Sequence, residues 1–401
     1  MKQNAIPSAD RETTPVSGTP GLLCIDTTLL RFAGDMRGIP QVVFMLLEVL
    51  SEPVFRGRVR YLAYPDVAEK HLLPRGIAPE CIELVPEVPV LGHYDRFQGM
   101  FSTWRYRRAT RGAALLVHPE PRSMTRLSIP QVVVWYDFLQ IAGEWKPWKK
   151  PSRYLYTRYK YELAMRRAAG ITISEHTKRL ALRLFPWLDP TRLTPLWLGV
   201  RNNLKPATPP RTGALSLPLR CVYVGALEDR KNIFNLVARL SEVFGEIPFT
   251  LDLVGKYFEQ EGARARALLA ESPYAGNVTL RGLLSEADLR ALMEQSDITL
   301  YPSLGEGFGL PVAEGMMQGH VVFAFRNTSL PEVAGNAAVL AEDNDFAEWG
   351  RTLKRLLADP EACAALRARA VARADIFSDA NMKRRYREYF EVALRNASGK
   401  T

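Results

Sequence analysis

The sequence predicts an α/β protein with two Rossmann-like, doubly wound domains that face a shared cleft. The chain has 401 residues, too many for one hydrophobic core but suitable for two domains. Short apolar runs alternate with segments of helical periodicity in both halves, as in βαβ units with parallel strands. A proline-containing stretch at 201–218 shows neither periodicity and is interpreted as a linker between the domains.

The chain divides into five predicted segments. These are a disordered tail (1–20), an N-terminal domain (21–200), the linker (201–218), a C-terminal domain (219–375) and a C-terminal helix (376–401). The tail is polar and lacks the apolar stretch of a signal peptide. We expect the C-terminal helix to pack back onto the N-terminal domain.

The apolar runs predict ten strands, five in each domain. They are Leu22–Ile25, Val59–Ala63, Ala113–Val117, Val132–Trp135, Ile171–Ile173, Arg220–Val224, Phe249–Val254, Val278–Leu280, Ile298–Tyr301 and Val321–Phe325. Helical patterns cover Val42–Leu50, Arg153–Arg167, Arg230–Phe244, Phe258–Glu271, Ser285–Gln295, Pro311–Gln318, Phe346–Ala374 with a break near Pro360, and Asp379–Asn396.

The composition is that of a water-soluble globular protein, with 47% hydrophobic and 24% charged residues. No apolar run reaches the roughly 18–20 residues that span a bilayer. The cysteines lie far apart without metal-like spacing, which indicates buried thiols in a reducing cytosol (Cys24, Cys81, Cys221 and Cys363). The net charge of +10 is compatible with nucleic acid, an anionic membrane surface or a phosphorylated substrate as partner.

The stretch Asp297–Gly319 carries the strongest functional pattern. An apolar strand leads into a loop with three glycines, and Pro311 follows at a position that proline favours at the start of a helix. Glycine allows backbone N–H groups to approach a ligand, and a helix N-terminus attracts negative charge, so a diphosphate fits here. Glu306 and Glu314 suit hydrogen bonds to sugar hydroxyls; a tight turn with two solvated glutamates is the alternative.

A second pattern, Val224–Asn232, combines a strand, a turn at Gly225 and the start of a helix. It places Arg230 and Lys231 in the first helical turn, where cations oppose the helix dipole by roughly 0.3–1 kcal/mol each. An anionic ligand would offset that cost. Two surface cations at an exposed helix end are the alternative.

These residues resemble the signature of the retaining glycosyltransferases of family four, which have the GT-B fold. The signature has two glutamates separated by seven residues around a Gly-Phe-Gly-Leu-Pro loop, and Glu306 to Glu314 reproduces it. The resemblance implies that Glu306 faces the donor sugar and that Glu314 holds the ribose hydroxyls of the nucleotide. It also implies that the diphosphate lies on the loop backbone, which comprises Gly307, Phe308, Gly309 and Leu310.

Further segments extend the resemblance over roughly residues 21–396. Gly225 and Lys231 match a family segment whose lysine contacts the donor diphosphate, and Arg230 assists by the same comparison. Ala226 stands where many relatives have an arginine, so Arg230 could substitute for it. Gly38 lies in a segment that resembles the glycine-rich acceptor-side loop, and we count it among the donor-binding residues. Leu330–Gly335 resembles another family element.

The acceptor side departs from the family pattern. The strand Val132–Trp135 is followed by Tyr136 where relatives usually have histidine, and Asp137 remains. His118, at the end of another apolar strand, points towards the cleft by topology; a structural histidine is the alternative. Glu306, Lys231, Arg230, Asp137 and His118 are therefore the predicted catalytic residues.

The resemblance implies transfer of a sugar from a nucleotide-diphosphate donor to a hydroxyl, with retention of configuration. The acceptor would be a saccharide or a lipid-linked saccharide in cell-surface polysaccharide synthesis, and the Gly225–Asn232 variant favours mannose or rhamnose. A non-catalytic nucleotide-sugar-binding relative is the alternative, because of Tyr136. We expect no cofactor and no metal, since the Asp343–Asn344–Asp345 segment also fits helix capping.

The stretch Trp145–Arg167 interleaves lysines and arginines with tryptophans and tyrosines. Such side chains suit the headgroup layer of a membrane, and they also suit stacking on single-stranded nucleic acid. A solvated helix face with some tyrosines packed inward is a third interpretation. Because relatives often glycosylate lipid-linked acceptors, we favour an anionic membrane surface over nucleic acid. We expect a cytoplasmic protein, peripheral at the inner face of the plasma membrane.

Overall fold

Two parallel β-sheets with flanking helices form the protein. The computed structural model describes residues 21–32, 38–86, 98–121, 125–142, 151–206 and 208–399. In these ranges the first sheet contains β1 (Leu22–Asp26), β2 (Val59–Ala63), β3 (Ile82–Leu84), β4 (Ala113–His118), β5 (Gln131–Trp135), β6 (Ala169–Thr172) and β7 (Leu193–Pro195). The second contains β8 (Leu219–Val224), β9 (Phe249–Val254), β10 (Val278–Gly282), β11 (Ile298–Tyr301), β12 (Val321–Phe325) and β13 (Val339–Ala341).

The strand order is that of a doubly wound fold in both sheets. It runs β3-β2-β1-β4-β5-β6-β7 in the first sheet and β10-β9-β8-β11-β12-β13 in the second. The order reverses between β1 and β4 and again between β8 and β11, and the pairs at these points are parallel. Ligands of such sheets bind outside the carboxyl ends of the strands at this reversal. The predicted fold class, two Rossmann-like domains, is confirmed.

Helices follow the strands in both halves. They are α1 (Ile39–Leu50), α2 (Pro65–Val67), α3 (Gln98–Ala109), α4 (Leu139–Ala142), α5 (Pro151–Arg167), α6 (Glu175–Leu184), α7 (Ile233–Ala238), α8 (Leu240–Val243), α9 (Glu259–Ala270), α10 (Glu286–Gln295), α11 (Leu310–Met317), α12 (Leu330–Ala334), α13 (Phe346–Ala358), α14 (Pro360–Asp375) and α15 (Asp379–Ser398). The predicted break near Pro360 separates α13 from α14.

The central strands carry the core. In β12, with the sequence VVFAF, all five residues are buried, because helices and neighbouring strands cover both faces of a parallel sheet. This is why these strands appear in the sequence as continuous apolar runs. Within the described residues no helix combines the length and apolar character that a membrane crossing requires. Cys24, Cys221 and Cys363 are buried free thiols, and Cys81 is partly buried.

The C-terminal helix α15 packs against the N-terminal half. Lys383 Nζ lies 2.8 Å from Glu48 Oε2 of α1, and Tyr386 donates a hydrogen bond of 3.0 Å to the carbonyl of Leu196. Its buried face comprises Met382, Tyr386, Phe390, Leu394 and Ala397. The chain therefore returns to its first half after completing the second.

The segment interpreted as a linker is held against the C-terminal half. Gln318 donates a hydrogen bond of 2.6 Å to the carbonyl of Leu204, and Arg211 Nη1 lies 2.5 Å from Asp297 Oδ1. Asp297 is buried at the start of β11. The segment thus has fixed contacts on the second sheet.

Candidate active site

Two segments meet at the point where the strand order of the second sheet reverses. One is the turn 225–232 after β8, and the other is the loop 302–309 between β11 and α11. Gly309 precedes α11 with a φ of 100°, which disfavours a side chain, and Pro311 lies in the first turn. The helix therefore begins where the sequence predicts, with its N-terminus beside the turn.

A buried ionic cluster joins the two segments at Glu306. Its Oε1 accepts hydrogen bonds from Lys231 Nζ at 2.6 Å, Tyr301 Oη at 2.9 Å and Ser303 Oγ at 2.5 Å. Arg230 Nη1 lies 3.4 Å from the same oxygen. The side chains of Lys231 and Glu306 are only 13% and 10% exposed, so the pair is largely removed from water.

The cluster keeps Glu306 ionised. Burial alone would raise the pKa of this carboxyl, but the charges of Lys231 and Arg230 outweigh burial and lower the pKa to about 2. Burial lowers the pKa of Lys231, and Glu306 opposes that shift. The cluster therefore sets Lys231 and Arg230 against the carboxylate of Glu306. Glu228, which is more exposed, is a second acid beside Arg230, with Oε1 lying 3.1 Å from Nη2.

The start of the helix near Arg230 differs from the prediction. Asp229–Lys231 form a 3₁₀ turn, Asn232 has a φ of 57°, and α7 begins only at Ile233. Arg230 and Lys231 therefore do not lie in the first turn of an α-helix or at an exposed end. Their side chains reach across to the loop 302–309, where Arg230 Nη1 also donates to the carbonyl of Gly305.

The segment after β12 forms hydrogen bonds with the backbone of the loop 302–309. Thr328 Oγ1 accepts a hydrogen bond of 3.0 Å from the amide of Glu306. Ser329 Oγ donates to the carbonyls of Glu306 and Phe308 at 3.0 and 2.9 Å. These contacts fix the backbone around Glu306, so its carboxylate has a defined position.

The loop also touches the N-terminal half. A Cβ on Gly307 would lie 1.9 Å from the carbonyl oxygen of Tyr136, so only glycine permits this approach. Thr177 Oγ1 donates to the carbonyl of Gly307 at 3.3 Å, and the ring of Phe308 packs edge-on against Phe377. Gly307 is thus needed for contact between the halves, while the predicted role of Gly307 and Phe308 at the diphosphate stays a prediction.

Asp137 faces the cluster from the N-terminal half. Burial raises the pKa of its carboxyl above the usual value, and the charge of Arg230 opposes that shift. Its Oδ1 accepts a hydrogen bond of 3.3 Å from the amide of Leu139. The prediction that Asp137 belongs to the catalytic residues stays a prediction.

Gly225 ends β8 beside a second glycine. A Cβ on Gly255 would lie 1.9 Å from the carbonyl oxygen of Gly225, and one on Gly225 would lie 2.7 Å from Tyr223 Oη. The turn after β8 therefore needs small residues for its own packing. Leu310, also assigned to the donor, is the partly buried first residue of α11.

Glu314 lies on α11 and is fully buried. Both of its oxygens accept hydrogen bonds from Arg201, whose Nε lies 2.6 Å from Oε1 and whose Nη2 lies 2.9 Å from Oε2. Arg201 is the first residue of the predicted linker and is not among the predicted site residues. It stands between Gly199–Val200 and Asn202–Asn203, and no recognisable motif in this stretch marks it as functional.

His118 ends β4 and is buried in the N-terminal half, and its predicted place in the cleft stays a prediction. Its side chain is fully buried, Nε2 lies 2.9 Å from Gln131 Oε1, and its ring lies beside Tyr106. Burial lowers the pKa of the imidazole, so the neutral form is favoured. These contacts also fit the alternative of a structural histidine. Gly38 caps α1 with a φ of 76°, and residues 33–37 before it lie outside the described ranges.

Glu332 on α12 joins the two halves, and it lies in the segment Leu330–Gly335, for which the family resemblance implies no specific role. Its carboxylate accepts hydrogen bonds from the amides of Glu175 and His176 at 2.7 and 2.9 Å, and from Trp197 Nε1 at 2.5 Å. The two amides form the N-terminus of α6, where an anion is favoured. Glu332 thus ties the loop region of the second sheet to the first half of the chain.

The Asp343–Asp345 segment has structural partners. Asp345 accepts a hydrogen bond of 2.9 Å from the amide of Glu348 and so caps α13, as predicted. Asp343 Oδ1 accepts one of 2.5 Å from Asn327. Among the described residues, no three or more His, Cys, Asp or Glu side chains are grouped so as to hold a metal ion.

The lowered pKa of Glu306 predicts a pH-dependent contribution to stability. Because the folded value of about 2 lies below the ordinary value of 4.5, the contribution is complete above pH 4.5 and is lost as the pH falls towards 2. We expect the difference in unfolding free energy between wild type and Glu306→Gln to shrink by roughly 2 kcal/mol from pH 7 to pH 3. Urea unfolding at both pH values measures it, with exposed Glu361→Gln as control. A difference independent of pH would contradict the ionic cluster.

Comparison with known proteins finds a family model that matches part of the C-terminal half and relatives that match about half of the chain. The family described as "Glycosyl transferases group 1" matches residues 218–359, which contain both segments of the cluster. O-antigen chain mannosyltransferase B of Escherichia coli is 29% identical over 220 residues, 52% of this chain and 56% of that protein. MMP alpha-(1->4)-mannosyltransferase of Mycolicibacterium hassiacum is 29% identical over 226 residues, 55% of this chain and 53% of that protein. The matches thus span about half the length of these relatives.

Solved structures match nearly the whole chain. Sucrose-phosphate synthase of Thermosynechococcus elongatus aligns with a TM-score of 0.73 and 18% identity, over 94% of this chain and all of that one (100%). Anabaena HepE in complex with UDP and glucose aligns with a TM-score of 0.68 and 17% identity, over 92% of this chain and 99% of that one. At such identities the likeness concerns the fold. Residues 218–359 therefore match the group 1 glycosyl transferases, and the chain as a whole has the two-domain fold of GT-B glycosyltransferase structures.

Proposed function

We propose that this chain is a retaining glycosyltransferase that transfers mannose or a related hexose from a nucleotide-diphosphate donor. The acceptor is a hydroxyl of a saccharide or lipid-linked saccharide in cell-surface polysaccharide synthesis. The buried cluster of Lys231, Arg230 and Glu306 at the reversal of strand order carries this proposal. The names of the two mannosyltransferase relatives support mannose as the sugar.

The cluster has the charges that a departing diphosphate needs. Lys231 and Arg230 contact Glu306 in the loop that leads into α11, and the N-terminus of a helix carries partial positive charge. Glu306 and Tyr301 hold the ammonium group of Lys231 at 2.6 and 2.7 Å. Contacts that fix a cation in this way favour effective electrostatic stabilisation of a developing negative charge.

The proposed reaction proceeds on one face of the sugar. The bond from C1 to the diphosphate oxygen breaks, and the acceptor oxygen forms its bond to C1 on the same side. The acceptor proton passes to the departing phosphate oxygen, so the α configuration is retained without an enzyme nucleophile. Lys231 and Arg230 stabilise the negative charge that builds on the diphosphate, and Glu306 keeps both cations in place and faces the sugar.

A nucleotide-sugar screen tests this function most simply. Binding to the folded state raises the melting temperature in proportion to affinity, so a thermal-shift series with GDP-, UDP- and ADP-sugars ranks the donors. The best donor is then incubated with saccharide and lipid-linked acceptors, and transfer is measured by mass spectrometry. A donor that binds but is neither transferred nor hydrolysed favours the non-catalytic alternative.

The reaction as proposed needs no metal ion. We expect turnover to survive excess EDTA, because Lys231 and Arg230 supply the positive charge. Asp343→Ala should leave turnover intact and reduce stability at most, since Asp343 bonds to Asn327. Loss of activity with EDTA that magnesium or manganese restores would contradict this prediction.

We further propose that the N-terminal half docks on an anionic membrane surface. Leu155 and Tyr159 of α5 are 64% and 54% exposed, and Trp104 of α3 is 71% exposed. Arg126 connects these helices, because its side chain donates to Tyr159 Oη and its amide to Thr103 Oγ1. Exposed aromatic side chains next to cations suit the headgroup layer.

Part of the aromatic stretch has an ordinary packing role. Tyr161 lies edge-on to Trp135 and Phe138, with ring centroids 5.2 and 5.7 Å away. It therefore belongs to the core, as the third interpretation of this stretch requires for some tyrosines. Lys146, Lys149 and Lys150 lie outside the described residues.

Removal of these three lysines should weaken membrane binding. We expect the Lys146→Gln, Lys149→Gln, Lys150→Gln variant to lose roughly 1 kcal/mol of binding energy per charge on phosphatidylserine vesicles. Its donor hydrolysis in solution should hardly change. The control replaces the exposed cations of α13 (Arg351, Lys354 and Arg355) with Gln, and vesicle sedimentation is the measurement. Equal sedimentation of wild type and both variants would contradict membrane docking by this stretch.

A further inference from the structure

We infer that Glu332 is a positioning residue that sets the orientation of the two halves for sugar transfer. It joins the first turn of α6, in the first half, to the segment that holds the loop 302–309 in the second. This inference rests on the proposed function, because transfer needs a donor and an acceptor that are brought together by the two halves. Among the described residues, the side-chain partners of Glu332 lie outside the ionic cluster at Glu306.

The chain crosses between the halves twice. It crosses at residues 196–201, after β7, and returns at residues 376–378, between α14 and α15. The amide of Val200 donates a hydrogen bond of 2.8 Å to the carbonyl of Phe377, so the two crossings are bonded to each other. We call these two segments the junction. A change in the relative orientation of the halves must turn about the junction, because these segments carry the chain from one half to the other.

Glu332 is held at the junction through its side chain and its backbone. Trp197, in the first crossing, donates its indole N–H to the carboxylate at 2.5 Å, and its ring packs against Phe377 in the second crossing. Arg373, near the end of α14, donates to the carbonyls of Glu332 and Val333 at 2.5 and 3.0 Å. The position of α12 is therefore fixed relative to the junction.

The same carboxylate completes the N-terminal cap of α6. The first amides of a helix have no partner within the helix. Ser174 Oγ accepts a hydrogen bond of 3.0 Å from the amide of Thr177. The two preceding amides, of Glu175 and His176, donate instead to Glu332 at 2.7 and 2.9 Å, where the helix favours an anion. Because Glu332 belongs to the other half, this cap forms only while the halves keep the orientation that the structure shows.

The first turn of α6 reaches the loop 302–309 by two routes. Thr177 donates directly to the carbonyl of Gly307 at 3.3 Å. The other route runs through Glu332, because Ser329, three residues earlier, donates to the carbonyl of Glu306 at 3.0 Å. Two separate contacts fix an orientation, whereas one contact acts as a pivot. Loss of the Glu332 contacts therefore leaves the two halves free to turn about Thr177.

Glu332→Gln should reduce transfer while donor binding stays close to that of wild type. Glutamine keeps one carbonyl acceptor, but its NH2 group faces donors in place of the second carboxylate oxygen. The acceptor is then misplaced relative to the donor, and a displacement of about 1 Å can cost 10²-fold in rate. We expect the ratio of transfer to donor hydrolysis to fall about 10- to 10²-fold. Hydrolysis should change far less, since a water molecule needs no placement by the first half.

The test combines this rate ratio with a measurement of shape. The donor that the thermal-shift series ranks first is incubated with and without its acceptor, and both products are quantified by mass spectrometry on one preparation. Titration calorimetry with the corresponding nucleoside diphosphate gives the affinity, and thermal melting shows that each variant is folded. Small-angle X-ray scattering reports the arrangement of the halves without any ligand. The radius of gyration of Glu332→Gln should exceed that of wild type.

Two further variants keep the test decisive. Glu175→Gln is the matched control, because it removes an exposed carboxylate from the same turn of α6 but leaves the amide that bonds to Glu332. Its rate ratio and scattering should equal those of wild type. Trp197→Phe removes one of the three donors and keeps an aromatic ring against Phe377, so its rate ratio should be intermediate. It takes the place of Glu332→Gln if that variant does not fold.

The possible outcomes separate this inference from the function on which it rests. A wild-type rate ratio or wild-type scattering in Glu332→Gln would overturn the positioning role. An equal loss of transfer and hydrolysis would also overturn it, because Glu332 would then support the Glu306 cluster rather than the orientation of the halves. If wild type binds no nucleoside diphosphate and transfers no sugar, the proposed function fails, and the scattering comparison alone decides whether Glu332 fixes the halves.

Discussion

Replacing Lys231 with alanine is expected to lower turnover by about 10²–10³-fold while donor affinity falls far less. The negative charge on the diphosphate is greater in the transition state than in the bound donor, so a cation there stabilises the transition state more. Turnover and donor dissociation constant should be measured on the same preparation. The matched control is Lys354→Ala, the same substitution at an exposed position of α13.

Because Lys231 is largely buried, the stability of the alanine variant must be measured as well. Its side chain is 13% exposed and contacts Glu306 and Tyr301, so the alanine variant loses a buried ion pair. We expect a stability loss of roughly 1–3 kcal/mol, which leaves the protein folded because Arg230 remains beside Glu306. Thermal melting of both variants checks this. A collapse of donor affinity with normal residual turnover would show that Lys231 contributes to ground-state binding only.

Glu314→Gln is expected to weaken nucleotide-sugar binding by roughly 1.5–3 kcal/mol, or about 10- to 150-fold in the dissociation constant. Glutamine has nearly the shape of glutamate, but it is uncharged and has one carbonyl acceptor in place of two carboxylate oxygens. Its amide NH2 group would also lie next to the guanidinium of Arg201, where two donors oppose each other. The turnover at saturating donor should change less than the affinity. Titration calorimetry measures the effect, and Glu361→Gln on α14 is an exposed control. Unchanged affinity would remove Glu314 from the ribose site.

The sequence predicts most of the fold because buried parallel strands are continuous apolar runs. The three strands that it misses, β3, β7 and β13, have three residues each and lie at sheet edges. Short edge strands are covered on fewer sides, so no long apolar run marks them. The hydrogen bonds to β2, β6 and β12 define them, and these partners are distant in the sequence.

The parts of the site that lie in local sequence motifs are predicted from the sequence. The parts that depend on contacts between distant residues are missed. The glycine loop and Pro311 fix the start of α11 through backbone preferences that are visible in the sequence. The break between Lys231 and α7 depends instead on Asn232, whose side chain bonds to Asn344, more than a hundred residues away. Arg201 and Glu332 likewise bond to partners in another part of the chain; a local pattern marks the segment of Glu332, but neither partner can be identified from it.

The stereochemistry of the first product tests the central claim most directly. An α-linked nucleotide sugar, chosen by the thermal-shift screen, is mixed with enzyme and acceptor, and the anomeric protons are followed by ¹H NMR from the first minutes. We predict that the transferred sugar appears in the α configuration and that the signal is lost in Lys231→Ala. A β-configured first product, or no transfer to any acceptor or to water, would contradict a retaining glycosyltransferase site at Lys231 and Glu306.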